Sequence, residues 1–188
     1  MLGVSLQVIA VLRPLTYLMF ASLFAMLLVP ESNAQDWEHA PKSEDFAVTK
    51  FFTGKPAPVV LETKKARLYR TVIREGASEG PNFAGHYTVV AWGCGMDSFE
   101  LAVVDAVSGK IFFPPFECVT LAGGFGLPLP EGRGLRNPAY RIDSRLLVVV
   151  GVEDSEKAKP EDRAARFFVF EKGKFNLVYT IPAPFKDE

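Results

Sequence analysis

The stretch "RLLVVVGV", Arg145 to Val152, is apolar without interruption through its middle. A strand with one face in water alternates apolar and polar residues, whereas a strand buried on both faces does not. The stretch therefore predicts a central strand. The same enrichment in β-branched and aromatic residues, bounded by turn residues, marks His86–Trp92 ("HYTVVAW"), Phe99–Asp105 ("FELAVVD"), Lys110–Phe113 ("KIFF"), Ala165–Phe170 and Lys174–Thr180 as further strands. "AVSG" after Asp105 reads as a tight turn with Gly109 at positive φ, and "EKGK" as the turn of a hairpin.

Upstream, "TKKARLYRTVIREG" from Thr63 to Gly76 sets Ala66, Tyr69, Val72 and Ile73 at spacings of three and four, with basic residues on the other side. This pattern predicts an amphipathic helix with Thr63 as N-cap and Gly76 as its stop. A helix followed by strands joined mostly by hairpins gives an α+β domain, a predominantly antiparallel sheet with at least one amphipathic helix packed on it. A β-propeller is not expected, because the chain is short and shows no repeat at blade spacing. "LAGGFGLPLPEGRGLRN" (Leu121–Asn137) and the charged Glu153–Arg163 read as exposed loops.

The first 29 residues carry a single charge, Arg13, and the apolar run "LTYLMFASLFAMLLV"; Pro30 and the small residues of "SNA" follow. Residues 1–34 are therefore expected to be a signal peptide cleaved before Gln35, with an uncleaved membrane anchor as the alternative and as the chain's one route to a membrane. Residues 35–45 are polar and contain Pro41, which suggests a flexible N-terminal arm; residues 46–188 then form a single globular domain. Arg13 and Glu31 both leave with the signal, so the mature chain keeps the net charge of −1. Without a block of like charge, nucleic acid is not an expected partner. Export places the protein in the periplasm, with secretion as the alternative.

Cys94 and Cys118 are the two cysteines. In an oxidising compartment a disulfide is the simplest state, and a closed loop of about 25 residues would contribute roughly 3–4 kcal/mol. Two unpaired thiols, or a nucleophilic Cys94, are the competing readings.

The strings "GPNFAGHY" (80–87), "WGCG" (92–95), "VVDAVSGKIFFPPF" (103–116) and "YRIDSRLLVVVGV" (140–152) together resemble a set of exported bacterial proteins that share an "NFAGHY…WGCG" core. The resemblance spans most of Ala66 to Tyr179 and implies a Gram-negative, periplasm-like setting, but it brings no activity with it. Those proteins usually carry a second cysteine four residues after the first, where this chain has Ser98. Under the resemblance, Cys118 is the partner left for Cys94.

Three site readings follow. His86 begins a strand beside small residues and is first a hydrogen-bonded structural histidine. With a free Cys94 as nucleophile and Asp97 or Asp105 to orient the ring, it would have the residue types of a thiol hydrolase, provided the chain turns at Gly93. No metal and no cofactor are expected, since His39 lies in the arm and no spacing matches a ligand motif. The third reading is recognition through the Gly/Pro-rich loop, where Phe125 and Leu127 stand in a backbone stiffened by Pro128 and Pro130, ahead of Arg133 and Arg136; its alternative is that these apolar residues tuck back under the loop and cap the core. The expected function is accordingly a binding or inhibitor-type module rather than an enzyme, with another exported protein or a small envelope ligand as partner. The alternatives are the thiol hydrolase and a structural envelope protein.

Overall fold

In a computed structural model, residues 38–121, 137–153, 159 and 162–182 are described, all within the unit Asp36–Glu188. The expected signal peptide lies outside them. Two short helices, α1 (Lys64–Leu68) and α2 (Arg70–Ser78), precede eight strands: β1 (Tyr87–Gly95), β2 (Ser98–Asp105), β3 (Ile111–Phe112), β4 (Val119–Thr120), β5 (Ala139–Tyr140), β6 (Leu146–Glu153), β7 (Ala164–Glu171) and β8 (Lys174–Pro182). All pairs are antiparallel, in the order β1-β2-β4-β6-β7-β8, with β3 on β2 and β5 on β6. The fold is thus a β-rich domain, and helix is a smaller part of it than the α+β label implies.

The hydrophobic alternation divides the sheet into two halves that share one core. Val89, Phe99, Leu101 and Val103 from β1 and β2 meet Leu147, Val149, Phe168 and Phe170 from β6 and β7, with Phe83, Phe116 and Val119 filling the space between them. Side chains one residue out of step face the other way. On the first half, Val90 and Val104 lie under Ile73 and Ala77 of α2. On the second, Leu146, Val148, Phe167 and Val169 pack with Ile181, Ala40 and Phe46. Both faces of β6 are therefore covered, which is why its sequence does not alternate. β4, two residues long, joins the halves by pairing with Phe99 of β2 and with Val152 and Glu153 of β6.

The helix departs from expectation in two places. Thr63 is the N-cap, its Oγ1 accepting from the Ala66 amide at 3.0 Å, but the helix breaks at Tyr69 (φ −97°, ψ 20°) and resumes. Tyr69 turns its ring onto Trp92, with centroids 4.7 Å apart, and the Trp92 indole donates to Glu100, which is buried and ion-paired with Lys65. Gly76 does not stop the helix. It lies inside α2, where a Cβ would come within 2.7 Å of Val90, so the glycine serves close helix–sheet packing.

Within the polar segment expected to be an arm, the described residues are docked. Residues 43–46 form a 3₁₀ turn held across the molecule: Ser144 Oγ donates to the Ser43 carbonyl at 2.8 Å, Arg141 pairs with Glu44 at 2.7 Å, and the Arg145 amide donates to Phe46. Polar composition suggests looseness, but buried Ala40 and half-buried Phe46 anchor the segment to the outer face of the second half.

Asn82 closes the outer edge of β1. Its Oδ1 accepts from the Val89 amide at 2.7 Å and its Nδ2 donates to the Val89 carbonyl at 3.2 Å, imitating a neighbouring strand. Asn82→Ala would leave both groups without their partner, and a loss of about 1–3 kcal/mol is expected in chemical denaturation. An unchanged midpoint would mean that water replaces the amide at no cost.

Candidate functional site

β1 separates the residues singled out in the sequence. At its far end Cys94 is bonded to Cys118, with Cα atoms 6.2 Å apart, so neither cysteine is a thiol. The bridge is compatible with an exported protein. Beside it the turn from β1 to β2 exposes Met96, and Asp97 (φ 51°) accepts from the Leu121 amide at 2.8 Å through its backbone carbonyl. Ser98 Oγ and Thr120 Oγ1 share a hydrogen bond of 2.9 Å. The hairpin tip, the bridge and the end of β4 thus form one connected corner.

His86 stands just before the near end of β1. The strand runs through Gly93 to Gly95 without the turn that a Cys-His pair requires, so eight extended residues, roughly 26 Å, separate His86 from Cys94. The Cys94, His86 and Asp97 constellation is not assembled. Asp105 is the carboxylate near the histidine, with Oδ1 3.9 Å from Nε2, and it is occupied by the turn after β2, accepting from the Val107 amide and the Ser108 hydroxyl.

The local chain explains how His86 is displayed. Ala84 (φ 45°) and Gly85 (φ 81°) both take left-handed backbone, which swings the chain into β1. A side chain on Gly85 would collide with the Lys50 carbonyl, because the segment Ala47–Lys50 crosses directly over it. The Gly85 amide donates to Ile142 at 2.7 Å and its carbonyl accepts from Phe52 at 2.9 Å. The result is an open cleft of roughly 390 Å³ between the 47–50 segment, the start of β1 and the β7–β8 turn.

Ala47, Val48, Ala84 and Phe170 give the cleft an apolar floor, together with the Tyr87 ring, whose centroid is 4.0 Å from that of His86. Lys50, Arg145, Glu171 and Lys172 ring it with charge, and Arg145 Nη1 pairs with Glu171 Oε1 at 2.8 Å. Burial, and secondarily the negative charge of Asp105, push the Tyr87 phenol above its ordinary range, so it remains a hydrogen-bond donor. Sequence reasoning singled out His86 but none of these charged residues. They come from three separate segments, with no spacing to connect them.

The loop residues Phe125, Leu127, Arg133 and Arg136 lie outside the described residues. Their stems do not. Leu121 follows Thr120, which pairs with Val152, and Asn137 clamps Val150 on the same edge of β6, its Oδ1 accepting from the Val150 amide at 3.1 Å and its Nδ2 donating to the Val150 carbonyl. Gly151 between them has φ 149°, and a Cβ there would lie 2.5 Å from the Thr120 carbonyl oxygen. The described residues on either side, Thr120 and Asn137, therefore meet one strand at Val152 and Val150, beside the bridged corner.

Among the described residues, no group of three or more His, Cys, Asp or Glu could hold a metal ion, and no helix is long and apolar enough to cross a membrane. No family model matches the chain, and no curated protein or solved structure matches it significantly. The resemblance to the "NFAGHY…WGCG" proteins rests on the motif strings alone.

Proposed function

We propose that the protein is an exported binding module, working in the periplasm, that engages another exported protein or a small envelope ligand through the segment between β4 and β5. The observation that carries this reading is the pair of stems. Leu121 is tied to Asp97 and Asn137 to Val150, so the Gly/Pro-rich segment is flanked by stems that meet β6 at Val152 and Val150, beside a disulfide-stapled corner. A fixed mount lowers the entropy lost when a loop is bound. Phe125, Leu127, Arg133 and Arg136 are the anchors this reading requires, since aromatic and Arg side chains dominate contact energies when desolvated together.

The test compares the exported protein with a variant whose residues 123–136 are replaced by a short Gly/Ser linker, and with Phe125→Ala and Arg133→Ala. Capture of a partner from envelope extract is expected to be lost with the linker. The single variants should weaken the isolated partner by about thirtyfold at unchanged melting temperature. If Phe125→Ala lowers the melting temperature while both single variants keep full affinity, the segment covers the core instead and the proposal fails.

A further inference from the structure

We propose that the His86 cleft binds a small organic acid, with its carboxylate between Lys50 and Lys172 and its apolar body on Tyr87 and Val48. The two lysines reach the cleft from segments 122 positions apart in sequence, as the numbering shows, and neither forms an ion pair among the described residues. Arg145 adds a third cation, and its partner Glu171 is, among the described residues, the single carboxylate lining the space. The lining therefore carries an excess of positive charge in a concave site, which repels itself when empty and attracts an anion.

The floor excludes a bare inorganic anion as the best fit. Phe170 and the half-buried Tyr87 meet edge-to-face, with ring centroids 4.9 Å apart, and Ala47, Val48 and Ala84 continue the apolar surface. A volume of roughly 390 Å³ lies at the small end of the range for organic ligands. The Tyr87 hydroxyl and the half-exposed His86 ring supply further hydrogen-bonding groups beside the cations. This site lies at the opposite end of β1 from the loop stems and does not depend on the loop's role.

Titration calorimetry of the exported protein at low ionic strength, with benzoate, hexanoate, benzylamine and inorganic phosphate as probes, tests the assignment. Saturable binding of benzoate or hexanoate is expected, with none of benzylamine. The double variant Lys50→Gln/Lys172→Gln should weaken benzoate by about tenfold or more. Its melting temperature should match that of the parent, because both lysines are exposed. In an ¹⁵N correlation spectrum, benzoate should shift the Ala84 and Tyr87 amides and leave Met96 unmoved. Phosphate binding as tightly as benzoate would overturn the organic-acid assignment. So would the absence of saturable binding, or benzoate affinity that the double variant leaves intact.

Discussion

Phe170→Ala is expected to cost about 3–5 kcal/mol, more than any other single truncation considered, and to lower the melting temperature by on the order of 10 °C. The side chain is 1% exposed and its ring meets those of Phe83, Tyr87, Phe112 and Phe175. These neighbours come from the approach to β1, from β1 itself, from β3 and from β8, so one aromatic group gathers both halves of the sheet. The cavity would be lined from several elements at once, and no single segment can move to fill it. Phe170→Leu, which keeps most of the volume, should recover part of the loss. Equilibrium unfolding by urea checks the expectation. A cost below about 1 kcal/mol would mean that the two halves close over the gap and that the core is less tightly specified than its packing implies.

The second large effect is expected from the bridge. Replacing both Cys94 and Cys118 by Ser should lower stability by about 3–4 kcal/mol, because the bond closes a loop with a sequence separation of 24. The positions are exposed and half-buried respectively, so the hydroxyls should add little desolvation cost. The fold should survive, since β1 and β2 remain paired from Tyr87–Asp105 to Gly95–Ser98. A local effect should accompany the global one: the Leu121 amide, bonded to Asp97, should exchange with solvent faster than the amides of β6. An unchanged unfolding midpoint would show that the corner is held by its hydrogen bonds alone.

The parts of the fold that could be read from the sequence are those whose cause is local. Arg145–Val152 announced a strand buried on both faces through its lack of alternation, and Thr63 announced a helix start through its hydroxyl. The turn residues of "EKGK" announced the β7–β8 hairpin, where Lys172 (φ 52°) and Gly173 (φ 75°) both take positive φ. β4 and β5 were not legible. Each is two residues long, too short to show a period, and exists because β6 offers an edge to it. Gly76 was misread because a glycine near a helix end looks like a stop, whereas here the constraint comes from Val90 on another element. With only two cysteines the bridge was a simple inference. The cleft was not, because Lys50, His86, Arg145 and Lys172 are brought together solely by long-range pairing.

The docking of residues 43–48 onto Asp143–Arg145 also fixes an order of assembly. Ser43 and Ser144 are 101 positions apart, and Glu44 and Arg141 are 97 apart. Synthesis proceeds from the N-terminus, so one wall of the cleft is made early and waits without its support until residues 141–145 have emerged. Loops of that span close slowly compared with a hairpin. Ligand capacity at His86 should therefore trail the formation of the sheet in refolding, arriving as the final event when the start of the domain is fastened to a segment about a hundred positions further along.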